Sequence, residues 1–271
     1  MWEIARAKIN LALHVRGREP DGYHRLETIF VFAEDGDVLS VAPAKGLSLA
    51  VEGPFAAGLS AGEDNLVLRA ATALAGRYGV EVGAMLTLDK RLPVASGIGG
   101  GSADAAAALR LLNRFWQLNV AEAALLELAR PLGADVPACL LSRPCIGTGR
   151  GDDLQPFAGA PSGMPLLLVN PGVSVSTAQV FRRWGGEDGG PLPSNFHHAR
   201  NDLEAPAREV APAVAEVLEL LRSCAGTTMA RMSGSGATCF ALFEDDAARD
   251  AAAAVVRAAR LGWWQLVTRL A

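Results

Sequence analysis

The sequence predicts a protein of the α+β class, built from two domains. It shows strand-like alternation of apolar and polar residues, alanine-rich segments with helical spacing, and an order of the two that is too irregular for a doubly wound sheet. A length of 271 residues allows one large domain or two modest ones with a substantial core. Because the residue pattern of the sequence changes near Arg150, we expect one domain over residues 1–150 and another over residues 151–271.

The first half begins with a predicted β-hairpin. Residues 2–15 alternate, with Ala7 and Ile9 on the apolar face and Lys8 and Asn10 on the opposite face. A turn at 20–22 follows, and the pattern then predicts strands over 26–33, 37–52 and 84–88, helices over 65–78, 102–117 and 122–130, and a short helix after Asp135.

The second half predicts a smaller mixed domain. Its elements are expected to be a strand over 166–170, a helix over 177–183, a Gly/Pro-rich loop over 185–193, a helix over 211–221, strands on both sides of 234–236, a helix over 247–260 and a last strand over 263–269.

Composition and charge limit the classes of function. Half of the residues are hydrophobic and 20% are charged, which is typical of a soluble globular protein. A formal net charge of −4 argues against nucleic acid or an anionic membrane as a partner. The N-terminus lacks the basic-then-apolar order of a signal peptide, and no apolar run approaches the roughly 20 residues of a membrane span. We therefore expect a cytoplasmic protein.

The four cysteines are not in metal-binding spacing. None of Cys139, Cys145, Cys224 and Cys239 forms a C-x-x-C pair, and the histidines do not complete a metal pattern. Free thiols in a reducing compartment are expected.

A glycine loop stands between the strand expected at 84–88 and the alanine-rich helix. Glycines let the backbone approach a ligand, and the start of a helix offers unpaired N–H groups with partial positive charge, so the segment is typical of an anion site. It lacks the Gly-Lys-Ser/Thr of a Walker A loop and the βαβ unit of a dinucleotide site. The alternative is a flexible turn with Ser102 as the helix N-cap. The loop and its flanks read Pro93, Val94, Ala95, Ser96, Gly97, Ile98, Gly99, Gly100, Gly101, Ser102 and Ala103.

Asp104 follows the loop, in the first turn of the predicted helix. Its carboxylate either complements the helix dipole or lies near a metal. Because the loop has no lysine, Mg²⁺ and groups elsewhere would have to help neutralise bound phosphates.

Lysine is rare in this chain, and that draws attention to Lys8. Only three of the 25 basic residues are lysines, namely Lys8, Lys45 and Lys90. Lysine is a compact point charge whose pKa is tunable, so a site role for Lys8, with Asn10 on the same strand face, is weighed against a merely solvated lysine.

Asp135 is the candidate general base. A kinase that acts on a hydroxyl needs a carboxylate within hydrogen-bond reach of the attacking oxygen, and a neighbouring lysine would hold that carboxylate ionised. The alternative is an N-cap for the short helix that follows, with Pro137 in its first turn.

Two further loops allow a functional and a structural interpretation. Tyr23 and His24, after Asp21-Gly22, either close a hairpin or stack on and hydrogen-bond a base. The small-residue segment 231–237 is either a β-turn or a loop that brings the second domain to the phosphates.

These segments together resemble the three motifs of the GHMP kinase superfamily, which includes galactokinase and the homoserine, mevalonate and phosphomevalonate kinases. The N-terminal strand carries the first motif, the pattern P-x-x-x-G-[IL]-G-G-G-S-x-x-A from Pro93 the second, and M-S-G-S-G-A from Met232 the third. Segments 7–11, 21–24, 133–137 and 201–204 resemble one branch of that superfamily, and the match runs from about residue 5 to 243.

The resemblance implies a two-domain GHMP kinase fold with the active site in the cleft between the domains. It implies ATP with Mg²⁺, and phosphorylation of the tertiary 2-hydroxyl of a cytidine-diphosphate derivative of methylerythritol, in the non-mevalonate route to isoprenoid precursors. Lys8 and Asp135 are the implied catalytic pair, and the loop from Pro93 to Ala103 the implied phosphate site. The implied substrate residues are Asn10, Tyr23, His24 as the reader of cytosine, Thr177 and Phe181.

The metal ligands and the oligomeric state are not predicted. Some GHMP relatives carry an acidic Mg²⁺ ligand that has no clear counterpart here. Two other functions are weighed: a GHMP kinase for another small alcohol, and a catalytically silent ligand sensor, against which the presence of both Lys8 and Asp135 argues.

Overall fold

A computed structural model describes residues 1–271, which fold into two compact units made of interleaved segments. The first unit contains Met1–Lys8, Asp35–Val94 and Gly99–Ser142, and the second contains Ile9–Glu34, Ala95–Ile98 and Arg143–Ala271. The long strands β1 (Trp2–Arg18) and β2 (His24–Ala44) therefore contribute to both units. The predicted domain division at residue 150 stays a prediction.

The first unit combines a sheet with four helices. The second half of β2 pairs antiparallel with β4, Val38 opposite Asp89, and β3 pairs parallel with β4. Helix α2 is buried along its length because its alanines let neighbouring elements approach closely. The elements are β3 (Leu47–Glu52), α1 (Leu66–Tyr78), β4 (Gly83–Asp89), α2 (Gly100–Phe115), α3 (Glu122–Ala129) and α4 (Val136–Leu141).

The second unit contains a four-stranded antiparallel sheet in the order β10-β7-β9-β8. Strands β5 and β6 extend the first half of β2, with Leu26 opposite Gly149. The core lies between the four-stranded sheet and helices such as α7 and α8. The elements are β5 (Cys145–Gly149), β6 (Asp153–Pro156), β7 (Pro165–Asn170), α5 (Thr177–Arg183), α6 (Glu204–Val210), α7 (Ala213–Ser223), β8 (Thr227–Met232), β9 (Cys239–Phe243), α8 (Asp246–Ala259) and β10 (Trp264–Arg269).

Most of the predicted elements are present, and the differences have local causes. β2 continues through Gly36, where the sequence suggested a break. The glycine is required by close packing of the strands, since a Cβ at this position would lie 1.9 Å from the carbonyl oxygen of Ala5. Helix α6 was not predicted, because it has only seven residues and carries Pro206 in its first turn. Strands β5 and β6 were not predicted either, because both are short and β5 is rich in glycine.

The start of α2 corrects two expectations. The helix begins at Gly100 rather than Ser102, and its N-cap is Gly99 in a left-handed conformation with φ of 65°. Ser102 is therefore inside the first turn and is not the cap. Asp104 lies beyond the first turn and pairs with Lys90, so the prediction that it complements the helix dipole was wrong.

The four cysteines are free thiols. None of the helices combines the length and the apolar character that crossing a membrane requires.

Candidate active site

Lys8 and Asp135 meet in the first unit. The Lys8 Nζ lies 3.1 Å from the Asp135 Oδ2, with the lysine side chain 4% and the aspartate side chain 39% exposed. Lys8 belongs to β1, whose alternation turns it away from the apolar side chains of Ala7 and Ile9. Asp135 occupies the N-cap position of α4, with proline in the first turn as the structural alternative predicted, but its side chain makes no cap hydrogen bond and is left to pair with Lys8. The result is a carboxylate that is open to solvent on one side and held by a buried ammonium on the other.

The first glycines of α2 lie directly against this pair. A Cβ on Gly99 would lie 2.9 Å from the Lys8 Cε, and one on Gly100 would lie 3.0 Å from the Lys90 Nζ. A side chain at Gly99 would crowd Lys8, and one at Gly100 would force the end of Lys90 to shift, so glycine is the residue that fits both positions as they stand. The N–H groups at the start of the helix, which have no partner within the helix, and the nearby Lys8 ammonium make this a candidate site for an anion.

The earlier part of the glycine loop, Ala95–Ile98, belongs to the second unit and contacts the small-residue segment 231–237. A Cβ on Gly97, whose φ is 82°, would lie 2.4 Å from the carbonyl oxygen of Ser233. The Ser233 hydroxyl donates to the Gly97 carbonyl at 2.9 Å. Ala95, which is not a glycine, also has a positive φ of 51°, a strained conformation of the kind that clusters at functional sites. Segment 231–237 therefore fixes the shape of this half of the loop.

Asn10 is buried and its hydrogen bonds lie within the fold of the second unit. Its side-chain amide donates to the Thr28 hydroxyl at 2.8 Å, and its backbone N–H donates to the Ser233 hydroxyl at 3.1 Å. Asn10 thus links β1 to the segment that braces the glycine loop.

An aromatic cluster in the second unit surrounds His24. The imidazole lies 4.6 Å from the Phe181 ring and 5.6 Å from the Trp184 ring, which meets it edge-on at 83° between planes. Burial, assisted by the charge of Arg18, lowers the pKa of His24 and keeps the ring neutral. Thr177, at the start of α5, shares a hydrogen bond of 2.8 Å with the Ser235 hydroxyl. Predicted residues His24 and Phe181 are thus brought together.

The contacts of Tyr23 and Trp184 could not be predicted from the sequence. The Tyr23 ring, 57% exposed, carries the Arg150 guanidinium on one face at 3.9 Å from the ring centroid, and Arg150 pairs with Asp21. Neither Arg150 nor Trp184 was predicted, because Arg150 contacts Tyr23 and Trp184 contacts His24, and both pairs are far apart along the chain. For Trp184, the closeness of Phe181 within the same short helix region was the available signal.

A second charged cluster lies beside Gly100. The Lys90 Nζ donates to the Asp104 Oδ2 at 2.7 Å and to the Asp37 Oδ2, and all three side chains are buried. Burial raises the pKa of Asp104 above its ordinary value, against the opposing effect of the Lys90 charge. No group of three or more His, Cys, Asp and Glu side chains is arranged to hold a metal ion.

Comparison with known protein families shows the class to which the fold belongs. A model described as the GHMP kinases N terminal domain matches residues 65–143, and one described as GHMP kinases C terminal matches residues 192–260. A mevalonate kinase from Methanococcus jannaschii and a homoserine kinase from Cytophaga hutchinsonii have the same fold, with TM-scores of 0.73 and 0.69 at 9% and 17% identity. Fold and glycine loop together define the GHMP class of small-molecule kinases, which use ATP as phosphate donor.

Closer relatives narrow the family. A 4-diphosphocytidyl-2-C-methyl-D-erythritol kinase from Rhizorhabdus wittichii is 51% identical over 99% of this chain and 94% of its own, and one from Sphingopyxis alaskensis is 48% identical over 100% and 98%. A crystal structure of 4-(cytidine 5'-diphospho)-2C-methyl-D-erythritol kinase aligns with a TM-score of 0.85 at 36% identity, covering 100% of this chain and 99% of that one. The chain belongs to the family of 4-diphosphocytidyl-2-C-methyl-D-erythritol kinases.

Proposed function

We propose that this kinase transfers the γ-phosphoryl group of ATP to the 2-hydroxyl of 4-diphosphocytidyl-2-C-methyl-D-erythritol, a step of isoprenoid precursor synthesis. The observation that carries the chemistry is the Lys8–Asp135 ion pair beside Gly99, at the start of a helix suited to phosphate. The identity of the alcohol is supported by relatives of that name, about half identical over nearly the whole chain. The predicted cytoplasmic location remains a prediction.

Asp135 is assigned the role of general base. Its carboxylate is partly exposed, so a substrate hydroxyl can approach it, and in the proposed reaction it takes the proton as the hydroxyl oxygen attacks the γ-phosphorus. The bond from the γ-phosphorus to the bridging oxygen breaks, and its electron pair leaves with ADP. Lys8 pairs with the carboxylate at 3.1 Å and stabilises the negative charge that develops during transfer.

The phosphates are assigned to the glycine loop, Pro93 to Ala103. Protein atoms crowd the space that side chains would need at Gly97, Gly99 and Gly100, and this packing fixes the backbone of the proposed phosphate loop. Mg²⁺, when bound, would supply positive charge that offsets the charge of the phosphates.

The cytidine is assigned to the aromatic cluster of the second unit. The rings of Tyr23 and Phe181 can stack on a base, and Thr177 lies one helical turn before Phe181 in α5. A neutral His24 presents one donor and one acceptor, which is what the edge of cytosine requires. Asn10, a buried polar residue of β1, is also assigned to the substrate.

The test is release of ADP by the purified protein with ATP, Mg²⁺ and the diphosphocytidyl alcohol, in parallel with mevalonate and homoserine. Turnover is expected with the first alcohol. Turnover only with one of the other two would contradict the assignment. Tyr23→Ala and His24→Ala should raise the KM for the cytidine substrate and leave the KM for ATP near that of the wild type, since neither residue is assigned to ATP.

A further inference from the structure

Three buried charged side chains in the first unit have no part in the proposed chemistry. Asp37, Lys90 and Asp104 are each no more than 3% exposed. The Lys90 ammonium bridges the two carboxylates, 2.7 Å from the Asp104 Oδ2. We call this cluster, Asp37–Lys90–Asp104, the ionic tie.

The ionic tie grips the chain on both sides of the glycine loop. The Asp37 Oδ1 accepts the backbone N–H groups of Arg91 at 2.6 Å and Leu92 at 2.8 Å, just before the loop begins. Through Lys90 the same cluster holds Asp104 in α2, just after the loop ends. The ends of the loop are therefore joined by side chains as well as by the loop itself.

The tie also touches the loop directly. The Lys90 Nζ would lie 3.0 Å from a Cβ on Gly100, the first residue of α2, so the ammonium packs against the turn whose N–H groups are free. A shift of Lys90 would move that turn.

General stability is a poor explanation for such a cluster. A buried group of ion-paired side chains is often no more stabilising than apolar residues of similar volume, because each charge loses its hydration. Here the Asp104 Oδ1 is buried without any hydrogen-bond partner, and this adds to the cost. Buried ionic groups are best attested where they hold a particular register or arrangement.

We propose that the ionic tie sets the position of the glycine loop and of the first N–H groups of α2 for the phosphates of ATP. Asp37, Lys90 and Asp104 act as positioning residues that hold the backbone without contacting the nucleotide. The proposal rests on the proposed function only in taking ATP as the ligand of the loop.

Two substitutions of Asp104 separate position from charge. Asp104→Asn keeps an oxygen that accepts from Lys90, so the tie survives and nucleotide binding should stay close to that of the wild type. Asp104→Ala removes the acceptor at a position where alanine favours the helix. Both variants lose the carboxylate and leave Lys90 paired with Asp37, so their difference reports the link to α2.

The measurements are steady-state kinetics for both substrates and calorimetric binding of a non-hydrolysable ATP analogue. For Asp104→Ala we expect the KM for ATP and the Kd for the analogue to rise about 10- to 100-fold, the scale of an ångström-sized misplacement. The KM for the alcohol should change little. Amide hydrogen exchange over residues 97–103 should be faster in Asp104→Ala than in Asp104→Asn.

Equal nucleotide affinity in a folded Asp104→Ala and in the wild type would overturn the tie. Should the alanine variant fail to fold, Asp104→Leu fills the volume without an acceptor, and the same loss of affinity is expected of it. If the wild type itself fails to bind the ATP analogue, the proposed function is what fails. The two failures are therefore distinguishable.

Discussion

Replacing Asp135 by asparagine tests the proposed chemistry most directly. Asparagine keeps the size and an oxygen that accepts from Lys8, but it cannot take a proton from the substrate hydroxyl. A positioned general base contributes about 10²- to 10⁴-fold, or about 3 to 5 kcal/mol of activation free energy at about 1.4 kcal/mol per decade. We expect kcat to fall by that factor.

The fold should survive this substitution. The Asp135 side chain is 39% exposed, so solvent screens its pairing with Lys8, and a pair of this kind contributes on the order of 1 kcal/mol or less. The midpoint of thermal unfolding should shift by only a few degrees, and binding of an ATP analogue should be largely intact. Loss of turnover can then be separated from loss of folded protein.

The assay is ADP release at saturating substrates, with unfolding followed by circular dichroism. Glu81→Gln is the matched control, since it neutralises an exposed carboxylate in the same unit. Lys8→Met should also lower kcat, whereas Lys45→Met, at an exposed lysine, should not. Turnover by Asp135→Asn close to that of the wild type would refute the base assignment.

Three further predictions concern the loop, the ionic tie and the aromatic cluster. Gly97→Ala should lower the free energy of unfolding by about 1–3 kcal/mol, because φ at this residue is 82° and a carbonyl oxygen lies 2.4 Å from the position of the new Cβ. Gly101→Ala is the control: the nearest atom lies 3.7 Å from its new Cβ, so this variant should not be destabilised. Burial raises the pKa of Asp104 on folding, so the folded protein holds a proton there up to a higher pH than the unfolded chain, and stability present in acid should fall as the pH rises above the usual range of an aspartate; Asp104→Asn should remove this slope in urea melts, and an unchanged slope would contradict the raised pKa. Trp184→Ala should raise the KM for the cytidine substrate by freeing the His24 ring, with the KM for ATP as the control; equal changes in both would point to general damage.

Local sequence patterns predicted much of the fold. Asn65 caps α1 with its side chain, and α5 spans Thr177–Arg183 as predicted, because capping and periodicity act within one or two turns. The start of α2 was missed by two residues, since glycine is a poor helix former and its left-handed conformation at Gly99 is not visible in composition.

What the sequence by itself determined about the site is a set of residue types in order: a scarce lysine on a strand, a glycine loop before a helix, and an aspartate before a short one. Only the tertiary structure decided that Lys8 meets Asp135, and that Asp104 pairs with Lys90 instead of interacting with the helix dipole. The physical reason is that a side-chain pair depends on how distant strands and helices pack, and no local periodicity records that packing.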